Sequence, residues 1–174
     1  GKPELNGSSV GMAKAALEAM NGLNLFGVRG GHGSVIHVLP DEIARTRITL
    51  DSLLPRESGS KEIDAALLSV VGFPAFAVDN PDLLQTTHDA IVDKLQGQYG
   101  CKRFLRDGHQ SVVEDAERLH YEPGELKDFE HIECEWPLFF CYLLLNSLFR
   151  NDGDQAAFYR ERLEALAVDK DGLD

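Results

Sequence analysis

The residues best placed to do chemistry stand in two short stretches, "KRFLRDG" at 102–108 and "HIECEWPLFF" at 131–140. The second sets Glu133 and Glu135 beside a Trp-Pro pair, directly before a run of large apolar side chains. Two carboxylates facing one another across a sugar would suit glycoside hydrolysis. Two carboxylates at a helix mouth serve a different purpose. Pro137 suits the first position of a helix, which places Trp136 near the cap and both glutamates just outside it. Unpaired N–H groups and the positive end of the helix dipole favour ionised carboxylates there and lower their pKa. A lowered pKa is wrong for a general acid at neutral pH. It suits a group that pairs with arginine or accepts sugar hydroxyls, and Arg103 and Arg106 are the candidate partners.

Other constellations carry less. His131 and Cys134 lie three apart with Cys141 seven further on, but no second Cys/His pair stands at zinc spacing, so no metal site is read. "GVRGGHGS" is glycine-rich without the Lys-Ser/Thr of a phosphate-binding loop. Ser8 and Ser9 lack the nucleophile-elbow pattern. The six histidines are scattered in polar surroundings. The tail "VDKDGLD" starts like a calcium loop and ends before its last ligand, so it reads as a solvated tail. No cofactor motif is present.

These residues must be held by helices. "NGSSVGMAKAALEAM" starts behind a Ser pair able to cap it, and the Asn6-Gly7-Ser8 sequon reads as that helix start. "PDEIARTRITLDSLL" opens with Pro40 and acids behind it; "KEIDAALLSVVG" is short and apolar on most sides. "NPDLLQTTHDAIVDKLQG" has Asn80 as its cap and a stripe at Leu84, Ile91 and Leu95. "HIECEWPLFFCYLLLNSLF", 131–149, supplies a fifth helix and "DGDQAAFYRERLEALA" a sixth. The first, third and fifth are apolar on more than one side; the others are one-sided and charged. That alternation predicts three hairpins with an inner row and an outer row, with 63–71 and 138–148 on the inner one. Strand-like character is confined to "SVIHVL" and 98–104, so the fold class is all-α. Residues 98–133 show little periodicity apart from "PGELKDF", and a loop that long is usually functional.

The bulk properties bound the partners. A chain of 174 residues is one domain by length, here taken as 1–174. With 17 basic against 29 acidic residues the net charge is −12, which argues against nucleic acid and anionic lipid. The longest apolar run, 137–149, is too short to span a bilayer. Three cysteines and an opening without a signal pattern lead to the expectation of a reducing, cytoplasmic setting.

Four long motifs resemble the regulatory α and β subunits of phosphorylase kinase: "ELNGSSVGMAKAALEAM", "LLPRESGSKEIDAALLSVVGFPAFAVD", "KLQGQYGCKRFLRDG" and "FEHIECEWPLFF". The resemblance covers roughly residues 3 to 166 and leans slightly towards the α type. Those subunits begin with a domain similar to the glucoamylases of glycoside hydrolase family 15, an (α/α)6 toroid of six helical hairpins. The resemblance therefore implies about half of such a toroid, three hairpins, in this chain. "RFLRD" resembles the glucoamylase segment whose arginine contacts the substrate sugar, with Arg103 at the corresponding position and Arg106 and Asp107 beside it. "EWPLFF" resembles the segment opening the next inner helix, with Trp136 aligned although Trp and Pro are reversed. The segments carrying the family's general acid and base are not among these residues, so Glu133 and Glu135 inherit no catalytic role. The resemblance implies a non-catalytic regulatory scaffold in glycogen breakdown, without cofactor or metal. Its partners would be the other kinase subunits, including the catalytic subunit and calmodulin. A vestigial sugar cleft would be formed by Arg103, Arg106, Asp107, Glu133, Glu135 and Trp136, open to an α-glucan. Membrane attachment would come only through lipidated regions outside these residues. The competing readings are a glucoamylase-type hydrolase and a carbohydrate-binding domain.

Overall fold

The computed structural model describes residues 3–118 and 120–167. Six α-helices occur among them: α1 (Gly7–Met20), α2 (Pro40–Leu53), α3 (Leu68–Val71), α4 (Pro81–Leu95), α5 (Leu138–Phe149) and α6 (Gly153–Leu166). The calcium-like tail lies outside the described residues.

Each helix start has its own chemistry. At α4, the Asn80 side chain accepts from the N–H groups of Asp82 and Leu83, with Pro81 in the first turn. At α6, Asp152 accepts from the Gln155 N–H. The start of α1 departs from the expected serine cap. Asn6 stands at the cap position without a side-chain bond, and the serine acts as a donor instead. Both the Ser8 N–H (2.9 Å) and the Ser8 hydroxyl (2.5 Å) donate to the carboxylate of Glu57, 49 residues away. A buried carboxylate thus occupies the positive end of α1 and ties it to the segment after α2.

The helices pair as α1 with α2, α3 with α4 and α5 with α6, while α3 also touches α1 and α5. The odd-numbered helices form one row and each even one backs its predecessor, as the alternation in apolar character predicted. The core gathers at α3 and its surroundings: Leu67, Leu68 and Val70 are fully buried with Leu50, Ile91, Leu95, Phe140 and Leu143.

Three expectations need correction. The helix expected over 61–72 is a single α-turn preceded by a 3₁₀ turn, Ala65–Leu67. Asp64 is extended because it bridges to Phe104, and its carboxylate accepts from the Ala66 N–H, so the helix cannot begin earlier. "SVIHVL" forms no extended strand; its first residues, 34–36, exchange three backbone hydrogen bonds with 22–25 around the single Asn24–Val35 bridge, and the pairing stops there. The apolar runs are also less enclosed than expected. α5 buries Phe139, Phe140 and Leu143, whereas Leu138, Leu148 and Phe149 are each more than half exposed. In α1 the fully buried large side chain is not apolar but Lys14, neutralised by Glu18 (2.9 Å) and Asp79 (3.2 Å). An apolar periodicity cannot reveal a buried charge.

The long segment after α4 is anchored at both ends by a two-residue antiparallel ribbon. β1 (Cys101–Lys102) pairs with β2 (Glu135–Trp136), Cys101 opposite Trp136 and Lys102 opposite Glu135. "PGELKDF" forms the expected turn of helix as a 3₁₀ segment, Glu125–Phe129.

Candidate functional site

The ribbon brings the two chemical stretches side by side. Gly100 makes this possible, since a Cβ there would overlap the Trp136 backbone. Glu133 comes to lie almost wholly buried, its side chain 1% exposed. Lys102 Nζ donates to one of its oxygens at 2.8 Å and the Arg106 N–H to the other at 2.8 Å. Arg106 is left-handed (φ 63°), a turn that aims its N–H at this carboxylate. Burial pushes the Glu133 carboxyl up, but Lys102 and the Arg106 N–H outweigh it and hold the group below the usual carboxylate range.

Arg103 is engaged in a bidentate pair with Asp107, Nε to Oδ2 at 2.5 Å and Nη2 to Oδ1 at 2.7 Å. Asp107 is buried and also accepts from the His109 N–H. The pair raises the guanidinium pKa further, so Arg103 stays charged. Glu135 accepts from the Tyr99 N–H at 2.6 Å and lies against Gly97, where a Cβ would overlap its carboxylate. The Trp136 ring is stacked on His109, centroids 6.0 Å apart and planes nearly parallel, and the Arg103 guanidinium lies 5.7 Å from the ring centroid. The indole N–H of Trp136 is buried without a hydrogen-bond partner among the described residues.

Three expectations about this site are overturned. Pro137 is the cap residue of α5 rather than its first helical residue. Nor do Glu133 and Glu135 charge the mouth of α5; both accept hydrogen bonds from loop residues across the ribbon. Their arginine partners also differ from expectation. The ammonium on Glu133 belongs to Lys102, Arg103 pairs with Asp107, and the Arg106 side chain pairs with Glu130 at 3.4 Å. Sequence reasoning missed Lys102 and His109. The strand-like character of 98–104 was the one signal for Lys102, since pairing with 135–136 puts it beside this carboxylate. His109 had no signal, because its stacking depends on a turn at 107–111. Among the described residues no group of three or more His, Cys, Asp or Glu is disposed to hold a metal ion.

The arrangement has a definite chemical capacity. A fixed, partly exposed guanidinium beside an indole face suits the hydroxyls and apolar face of a sugar ring. An ionised, hydrogen-bonded Glu133 is unsuited to donating a proton. The sequence pattern of glycosyl hydrolases family 15 matches residues 1–169. The chain belongs to glycosyl hydrolases family 15. Within that family it is similar to proteins with another name. It is 60% identical over 174 residues to the probable phosphorylase b kinase regulatory subunit alpha of Drosophila melanogaster. It is 58% identical to the liver isoform of that subunit from Mus musculus. Each match takes in 99% of this chain and 14% of the relative. The skeletal muscle isoform of Oryctolagus cuniculus is 59% identical over 168 residues, 97% of this chain and 14% of its own. The family 15 segment described here therefore spans about one-seventh of those proteins.

Proposed function

We propose that this chain is part of a phosphorylase kinase regulatory subunit of the alpha type, a non-catalytic scaffold acting in glycogen breakdown. The observation that carries this is the 60% identity over 99% of the chain to a relative of that name. The row of α1, α3 and α5 backed by α2, α4 and α6 supports the further reading that these three hairpins are half of an (α/α)6 toroid. Its partners would be the other kinase subunits, the catalytic subunit and calmodulin among them, in the cytoplasm.

The site supports a sugar cleft kept without its chemistry. Arg103 and Trp136 present a sugar-compatible face, Asp107 holds Arg103, and Arg106, Glu133 and Glu135 brace the loop behind them. Ion pairs that complete one another need no substrate to be satisfied, so the cleft holds its shape when empty. Hydrolysis would require an acid and a second carboxylate across one sugar. Here Glu133 is buried under Lys102 and Glu135 is bound to a backbone N–H.

The test is a native mass measurement on the full-length protein purified from its source, with maltose and starch assays on the same sample. A large hetero-oligomer containing a protein kinase, with no glucose released, is the expected result. A monomer that releases glucose would instead establish the hydrolase reading. Saturable binding of a malto-oligosaccharide, lost in Trp136→Ala, would show that the cleft still takes an α-glucan.

A further inference from the structure

Adjoining this site is a cavity of about 600 Å³ that shares Lys102, Arg106 and Glu133 with it. Arg103, Asp107, Glu135 and Trp136 do not line the cavity, which opens instead towards Arg56, Lys61 and Lys94. Five cationic side chains line it, Arg56, Lys61, Lys94, Lys102 and Arg106, against three carboxylates. In a chain of net charge −12 with 17 Lys and Arg in total, that concentration reverses the local sign. The floor is apolar, built from the buried Ile63 with Phe104, Leu105 and Leu126.

The cations differ in how firmly they are held. Lys102 is committed to the buried Glu133. Lys94 and Arg106 meet Glu62 and Glu130 in half-exposed pairs, and Lys61 lies 3.2 Å from Asp64 and 3.9 Å above the Phe104 ring. The two half-exposed pairs contribute at most about 1 kcal/mol each, so Lys94 and Arg106 can turn to a stronger acceptor. Lys61 keeps its bond to the buried Asp64 and has two further N–H donors to offer. Arg56 has no carboxylate partner among the described residues. Its Nε and Nη2 donate to the carbonyls of Ser58 and Gly59, which fix the guanidinium and leave Nη1 unengaged. A fixed arginine with a free edge, two lysines and a second arginine around one cavity match the oxygens of a doubly charged phosphate.

We propose that this cavity binds a phosphate monoester, with Arg56, Lys61, Lys94 and Arg106 on the phosphate and the Phe104–Leu126 floor under the group that carries it. The volume exceeds what phosphate alone would fill and suits a ligand with a body. That body is either a small phosphorylated sugar or a phosphorylated side chain of a protein segment; both present the same head group.

The test uses the full-length protein in calorimetric titrations with inorganic phosphate, glucose phosphate and a phosphoserine heptapeptide, the last two each compared with the unphosphorylated form. Binding of the phosphorylated probes only is expected, weaker at high salt and weaker below about pH 6, where the phosphate loses its second charge. Lys94→Gln and Arg106→Gln should each weaken binding about tenfold. Lys94 lies on the exposed side of the last turn of α4, so its variant keeps the test valid if Arg106→Gln perturbs the loop. Tighter binding of glucose phosphate identifies a metabolite site, and tighter binding of the peptide a docking site for a modified segment. No binding of any phosphate probe, equal binding of the unphosphorylated forms, or affinities unmoved by both variants would overturn the proposal.

Discussion

Glu133 shows how one side chain becomes structural through its surroundings. Its folded pKa lies below the unfolded value, so it contributes stability at neutral pH that is lost as pH falls below about 4.5, through the folded pKa. Glu133→Gln keeps an acceptor for the Arg106 N–H but sets an amide against the Lys102 ammonium. The variant should lose about 1–3 kcal/mol at pH 7 and show a flatter acid limb. Melting temperatures of both proteins between pH 7 and pH 3 measure this; parallel curves would contradict it. Cys101 offers a second measurement at this scale. Burial, with Glu135 nearby, pushes its thiol up to about 12, whereas Cys141 is exposed. A maleimide at pH 8 should label Cys141 in the native protein and reach Cys101 only on unfolding. The residue types in the two chemical stretches were legible in the sequence; their partners were not. Lys102 meets Glu133 across 31 residues, and nothing local encodes that contact.

At the scale of elements, the row of α1, α3 and α5 depends on two close approaches. Gly11 of α1 lies directly over Val70 of α3, so a Cβ there would overlap the valine methyl groups. Valine is stiff about its first side-chain torsion and cannot swing aside. Gly11→Ala should destabilise by about 1–3 kcal/mol despite alanine's higher helix propensity, as chemical denaturation would show. Between α3 and α5 the link is polar. Asn146 accepts from the Phe73 N–H at 2.9 Å and donates to the Leu68 carbonyl at 3.1 Å, and it is buried. Asn146→Ala leaves the Phe73 N–H unpaired, takes one of two donors from the Leu68 carbonyl, which keeps the Gly72 N–H, and opens a space at Gly72. A loss of roughly 2–4 kcal/mol is expected, larger than for a surface asparagine. Helix positions followed from caps and periodicity, at Asn80 and Asp152 especially. The shortness of α3 did not, since the bridge from Asp64 to Phe104 displaced a locally favourable helix.

For the whole molecule, the exposed apolar side chains set the expectation. Leu138, Leu148 and Phe149 of α5, Phe158 of α6 and Leu25, Phe26 and Val28 before α2 are all open to solvent. Covering a side chain of this size is worth roughly 1.5–3 kcal/mol, against a typical domain stability of about 5–15 kcal/mol. Residues 1–174 expressed alone should therefore bind a hydrophobic dye strongly or self-associate, while the full-length protein does neither. A monomeric fragment with a sharp cooperative melt and no dye binding would show that three hairpins close their own core.

Caps and apolar spacing were enough to place the helices other than α3 and their order in hairpins, because these depend on neighbours within a turn or two. The long motifs pointed to the family before any contact was known. The tertiary structure decided what those residues are engaged in: Glu57 filling the start of α1, Lys14 buried beside Asp79, Glu133 under Lys102, and cations from three separate segments around one cavity. Each of these is an electrostatic contact between residues distant in the chain. Charge in a sequence announces its sign but not its partner, and the partner sets whether a group is free to act.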